Sequence, residues 1–245
     1  MVATLSRTST DTEPRPDRKQ AILLAAEKLF AQRGYHAVSI RQIADEAGVP
    51  LALVGYYFGP KHDLFHAIFA HWNDTIQARL DALAAARAGS VRNRLRAIID
   101  AFIGPVLRLR ASPEGEYYAL LVARELRHTG PEADRVLRDF FDPLAHAFID
   151  ALHEVAPQAT RGQAAWCYQF ALGALLHHIS DSRMDRLSRG ENADSDPAAA
   201  HLLARFIEGG VRAMLAPATP VTASRNPRLP AAAPVTTTLS TRRHP

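Results

Sequence analysis

An all-α protein is what this chain of 245 residues predicts. Three observations carry that prediction. Ala, Leu and Arg dominate, and apolar residues recur at i, i+3 and i+4 through segment after segment. Strand-like alternation is rare outside a Val/Thr-rich C-terminal tail. Capping residues precede the apolar runs, and glycine or proline follows them. Together they predict about nine helices in two domains, a small N-terminal one and a larger second one.

Residues 1–16 are polar, threonine-rich and proline-containing, and are expected to be disordered. A first helix is expected from about Asp17 to Arg33, with Ile22, Leu23, Ala26, Leu29 and Phe30 inward and Gly34 as its stop. Ser39 caps a second helix, and Gln42 three residues on can complete a capping box. Ile40, Ile43, Ala44 and Ala47 give it a buried stripe. Gly48 supplies a left-handed exit. Val49 restarts the pattern, a third helix follows with Val54, Tyr57 and Phe58 inward, and Gly59-Pro60 ends it. Two short helices joined by so tight a turn form a helix-turn-helix, whose second helix is built to lie in the major groove of DNA.

Lys61 opens a long helix through Leu64, Phe65, Ile68, Phe69 and Trp72, expected to reach Ala88. Five more follow. Ser90 starts one with Leu95, Ile98, Ile99, Phe102 and Ile103, which Pro105 should kink or end. Ser112-Pro113 starts the next, ending at Gly130. Another spans about Glu132 to Val155 with a bend at Pro143. Thr160 and Gln163 form a second capping box for a helix running through Leu187 or stopping near Ser182. Asp196-Pro197 starts the last, ending about Ala216. Residues 217–245, rich in Pro, Ala and Thr, are expected to be disordered.

The run Arg33-Gly34-Tyr35, Ser39-Ile40-Arg41-Gln42-Ile43-Ala44, Ala47-Gly48-Val49, Tyr56-Tyr57-Phe58-Gly59-Pro60-Lys61 and Leu64 resembles the N-terminal domain of TetR-type transcriptional regulators, over about residues 17–70. The resemblance implies a helix-turn-helix DNA-binding domain at 17–63 and an effector-binding and dimerisation domain at 64–216. It also implies a homodimer formed through the last two helices. A one-component repressor is the expectation, binding a palindromic operator in double-stranded DNA and answering to an unknown small-molecule effector.

Composition bounds the alternatives. No run of about 18 or more uncharged apolar residues occurs, so no membrane span is expected. The first residues carry Arg7, Asp11, Glu13, Arg15, Asp17 and Arg18 rather than an apolar core, so no secretory signal is expected. The one cysteine, Cys167, leaves no internal disulfide and suits a reducing cytoplasm. The sequence pI of about 9.5 says little about DNA. Arg225, Arg228, Arg242 and Arg243 in the tail equal the net charge of +4, leaving the rest balanced.

On the third helix, Leu51, Ala52, Gly55 and Tyr56 point outward at four-residue spacing. By resemblance these positions meet DNA. Leu51 and Ala52 can touch thymine methyls but cannot bond to base edges, Gly55 lets backbone approach, and Tyr56 suits a phosphate. Arg41 is then the best direct reader, since its guanidinium matches guanine O6 and N7; pairing with Asp45 is the competing role. Ser39 divides its hydroxyl between capping and a phosphate, and Lys61 resembles the family's backbone-positioning lysine.

For the second domain, polar or aromatic residues inside apolar runs are the pocket candidates: Tyr117, Tyr118, Arg124, His128, Trp166, Tyr168, Phe170, His177 and His178. Arg124 and His128, four apart, could meet an anion, with Glu125 and Glu116 as competing partners for Arg124. Ala164, Ala171, Gly173, Ala174 and Leu175 form one small-residue face, and Phe206, Ile207, Gly209, Gly210, Val211 and Met214 another. These faces suit either dimerisation or packing within one subunit.

No cofactor is expected. The pairs His62/His66 and His177/Asp181 could each give half a metal site, but with one cysteine and no clustered carboxylate-histidine motif none is expected. No phosphate loop, nucleophile elbow, zinc-protease motif or matched carboxylate pair occurs, so an enzyme is not expected. DNA binding controlled by a protein partner, or by no ligand, stands as the alternative.

Overall fold

The computed structural model describes residues 17–125, 130–194 and 196–217. Among them the protein is helical throughout, with twelve α-helices where about nine were expected. The tail residues and His128 lie outside the described residues.

The first three helices follow their sequence signals closely. α1 (Arg18–Arg33) is capped by the Asp17 carboxylate, which accepts from the amides of Lys19 and Gln20. α2 (Ile40–Glu46) begins with the full Ser39/Gln42 capping box. Gly48, at φ 64°, turns the chain into α3 (Leu51–Phe58). An ion pair of 2.6 Å between Lys28 and Glu46 fastens the end of α2 to α1. One expectation fails here: Tyr57 is exposed rather than inward, and Val54 alone is fully buried on α3. An eight-residue helix packed on one side has a narrow buried stripe, and Tyr57 falls beside it.

The expected long fourth helix is broken at Trp72 into α4 (Lys61–His71) and α5 (Asn73–Ala88). The Trp72 carbonyl accepts from both the amide (2.9 Å) and the hydroxyl (2.7 Å) of Thr75. That marks a fresh helix start, with Asp74 in the first turn.

A 3₁₀ turn at Val91–Asn93 leads into α6 (Arg94–Ala111). Pro105 neither ends it nor stops its hydrogen-bonded run. A turn closed by the Ser112 hydroxyl then delays α7 to Glu116–Glu125.

The expected helix from Glu132 to Val155 is three pieces: α8 (Pro131–Val136), a π-helical turn at Leu137–Phe141, and α9 (Asp142–Val155). Pro143 sits in the first turn of α9, where its missing N–H costs nothing. α10 (Arg161–Ser180) carries the Thr160/Gln163 capping box and ends at Ser180. The stretch to Leu187 is a separate short helix, α11 (Met184–Leu187). α12 (Ala200–Leu215) follows a 3₁₀ turn started by Asp196.

Two apolar clusters organise the molecule. One gathers α1 to α4 around Phe30, Phe65 and Phe69, and it takes in Tyr118 and Leu121 of α7, Val136 of α8 and Phe141. The other joins α5, α6, α9, α10 and α12 around Phe102, Phe148 and Leu175. α7 lies along α1 and also touches α6 and α10, so it is the element shared between the two.

Candidate nucleic-acid interface and effector cavity

The local chemistry of α2 and α3 leaves one face of the small domain open. Leu51, Ala52, Gly55 and Tyr56 are all exposed, Tyr56 by 80%. A Cβ at Gly55 would meet nothing within 4 Å, so that part of the helix surface is flat. Arg41 is exposed too and makes no ion pair among the described residues, so the intramolecular partnership with Asp45 is not formed. Ser39 Oγ accepts from the Gln42 amide at 3.3 Å and donates to the Gln42 side-chain oxygen at 3.0 Å, which commits the hydroxyl to capping.

Lys61 differs from its expected placement. Its ammonium donates to the Tyr35 carbonyl at 2.5 Å and lies 4.2 Å from the centre of the Tyr35 ring. Burial holds its pKa below the usual lysine range. Lys61 therefore clamps the turn between α1 and α2 from inside, and any phosphate role would cost these contacts.

The second domain holds an apolar cavity of ≈ 60 Å³ between α5, α6, α7 and α10, room for roughly four to six waters. Pro105, Val106, Phe141 and Leu172 form much of its wall, with Tyr118 and Tyr168 contributing the polar edges. The side chain sequence reasoning missed is Arg79 of α5, a cavity-lining residue only 9% exposed. It stands between Ile76 and Leu83 on the buried stripe of its helix, and a charge in an apolar stripe was the available signal.

Of the expected pocket residues, the structure brings Tyr118 and Tyr168 to this cavity. The other described candidates lie elsewhere. Tyr117 faces a different cleft, beside Lys28, Glu46 and Trp72. Arg124 sits against Gly34 at the edge of the small domain, because α7 runs along α1 and turns that side away from the cavity. Trp166 and Phe170 are 61% and 57% exposed, stacked on each other at 5.6 Å on the outer face of α10. His177 is on the same outer face and pairs with Asp181 at 3.1 Å. The half-buried His178 has its pKa lowered by burial.

The faces of α10 and α12 also divide differently from the small-residue pattern. Ala164, Ala171, Leu175, Ile207 and Val211 pack inward, within the subunit. Outward lie Trp166, Phe170 and Gly173 on α10, with Leu202, Phe206, Gly209 and Gly210 on α12.

Among the described residues, no group of three or more His, Cys, Asp or Glu could hold a metal ion. His66 instead meets Asp139 at 2.8 Å, and His62 lies 3.6 Å from Asp63. No helix among them is long and apolar enough to cross a membrane.

A glycine-turned helix pair with an open second helix, joined to a helical domain that encloses a cavity, is the architecture of a helix-turn-helix DNA-binding regulator. Residues 22–68 match the family model described as bacterial regulatory proteins, tetR family. Residues 100–210 match the Tetracyclin repressor-like C-terminal domain. The chain belongs to the TetR family of transcriptional regulators.

Over 90 residues it is 36% identical to the HTH-type transcriptional activator FasR of Mycolicibacterium smegmatis, covering 36% of this chain and 40% of that protein. The chain thus matches about two fifths of the length of that curated relative. In fold it resembles HlyIIR, a hemolysin II transcriptional regulator, with TM-score 0.56 and 19% identity over 80% of this chain and 98% of that one. It also resembles a TetR-like regulator from Rhodococcus sp. RHA1, with TM-score 0.55 and 23% identity over 84% of this chain and 100% of that one.

Proposed function

We propose that the protein is a one-component repressor that grips a palindromic operator as a homodimer and answers to a small molecule held in the cavity. The observation that carries this reading is the position of α7. Tyr118 lines the cavity and is at the same time part of the apolar cluster of the DNA-binding domain. A ligand that moves that wall therefore biases the seating of α1, and with it the spacing of two reading heads.

DNA contact falls to the open face of α3 and to Arg41. Leu51 and Ala52 supply thymine-methyl contacts, Gly55 close approach, Tyr56 a phosphate contact and Arg41 the guanine readout. Dimerisation falls to the outer faces of α10 and α12. Exposed aromatics of that size, adjoining open glycines, are what a helical interface buries. A twofold protein then reads a twofold site.

The test is selection of bound sequences from a random DNA pool by the purified protein. Enrichment of one palindrome supports a dimeric reader. Recovery of sequence-indifferent binding with a steep salt dependence, or of no binding by a folded dimer, would sink it. The sign of regulation is read separately, with a reporter gene behind the selected site; rising expression on loss of the protein supports repression.

A further inference from the structure

The cavity wall holds a cation that the fold does not neutralise. Arg79 is buried, yet among the described residues no carboxylate pairs with it. One of its terminal nitrogens donates to the Phe102 carbonyl at 3.3 Å, while its Nε–H has no partner. The guanidinium otherwise lies against the rings of Phe102 and Phe148, 5.4 Å and 5.8 Å from their centres. Tyr118 lines the same cavity, and its hydroxyl is also buried without a partner.

A buried guanidinium costs several kcal/mol of desolvation, and a lone hydroxyl adds a smaller penalty. Faces of two phenyl rings offset only part of that. Native proteins rarely leave donors so placed unless something else satisfies them. Apart from Tyr168 and Thr75, whose hydroxyl already donates to the Trp72 carbonyl, the remaining wall is aliphatic and aromatic, which suits a ligand that is apolar apart from one anionic end.

We propose that the effector is a small apolar monocarboxylate, its carboxylate held by Arg79 and the Tyr118 hydroxyl and its hydrocarbon body by Val106, Phe141 and Leu172. The proposal rests on the effector reading above and adds the ligand's charge and class. A planar carboxylate matches the guanidinium fork, and a charge-assisted bond in a site largely shielded from solvent discriminates strongly against a neutral isostere. A phosphate monoester fits less well: it carries about two charges, and the cavity offers one cation.

The test uses the full-length protein and straight-chain acids from butanoate to octanoate, each against its primary amide. The amide has the same shape and no charge. Binding is followed by calorimetry at millimolar ligand. The expected result is that one or more acids bind, and the matching amide binds roughly tenfold more weakly or worse. Arg79→Met should lose the acid while keeping the amide's affinity, and the acid should change affinity for the selected operator in the unmodified protein only. Circular dichroism checks that the variant folds, and the acid–amide comparison in the unmodified protein needs no variant at all.

Val122 also lines the cavity; acid and amide binding equally, with both blocked by the cavity-filling Val122→Trp, would overturn the anion assignment and leave the effector cavity standing. Acid binding indifferent to Val122→Trp would place the ligand elsewhere and overturn both. Binding of neither series would overturn the monocarboxylate assignment and leave the effector cavity to be tested with other ligands.

Discussion

Glu27 of α1 is 2% exposed, and its carboxylate accepts from the Trp72 indole N–H at 2.7 Å. Burial raises its pKa from 4.5 to about 7, against the lowering effect of that bond and of one from the Tyr118 backbone. The folded state therefore holds a proton that the unfolded chain gives up near pH 4.5. The stabilisation of neutral Glu27 is fully present below about pH 4.5 and is lost as pH rises through about 7. The predicted loss is on the order of 3 kcal/mol. Denaturant titrations of Glu27→Gln should show this dependence removed and stability gained above about pH 8; a slope equal to that of the unmodified protein would refute it. Arg79 carries the opposite kind of information. Its replacement by Met should raise the stability of the ligand-free protein, by about 1–3 kcal/mol, because an unpaired buried charge is removed. A lower melting temperature would show that the cation is structural. Arg41 is predicted to set base preference: Arg41→Ala should lose on the order of 1–3 kcal/mol of discrimination at one position of the selected operator. An unchanged selected sequence would contradict that. At this scale the sequence was legible wherever a residue acts through its own helix, as Ser39, Gly48 and Thr160 do. It was not legible where the partner comes from a distant part of the chain. Lys61 finds the Tyr35 carbonyl and Arg79 finds Phe102, and no local pattern announces either.

Helix existence was legible from periodicity, while helix breaks depended on tertiary capture of single residues. Trp72 leaves the α4–α5 line because its indole is claimed by Glu27 and its ring stacks on Tyr118 at 5.1 Å. Pro105, which sequence rules mark as a break, stays inside α6 because flanking residues Phe102 and Ile103 are locked in the core. Glycines at element ends give a sharp test. Gly115 precedes α7 so closely packed that a Cβ there would lie 2.2 Å from a Leu109 methyl carbon and 2.7 Å from the Leu109 carbonyl oxygen. Gly115→Ala should cost about 1–3 kcal/mol through overpacking, read as a fall in melting temperature; a neutral result would mean that the turn relaxes freely. At the outer helices, Phe206→Lys should dissociate the proposed dimer, since Phe206 is 72% exposed and contributes little inside its own subunit. Analytical ultracentrifugation showing an unshifted dimer would move the interface off α12.

For the whole molecule, domain order and the all-α class followed from sequence, but the joint between the domains did not. Tyr118, Leu121, Val136 and Phe141, far along the chain, complete the core around Phe69. The α7 wall, the Trp72–Tyr118 stack and Glu27 form a continuous contact from the cavity to α1. Trp72→Leu should therefore leave ligand affinity nearly intact while shrinking the ligand's effect on operator affinity. Equal effects in variant and parent would show that the signal travels another way. The same stack has an optical consequence. The chain holds two tryptophans, one half-buried against the joint and the other bare on the outer face of α10. Emission from Trp72 alone, in a Trp166→Phe background, would follow the joint as ligand enters; emission from Trp166 alone would follow subunit association. Two colours of solvent exposure in one chain thus separate sensing from assembly without any attached dye.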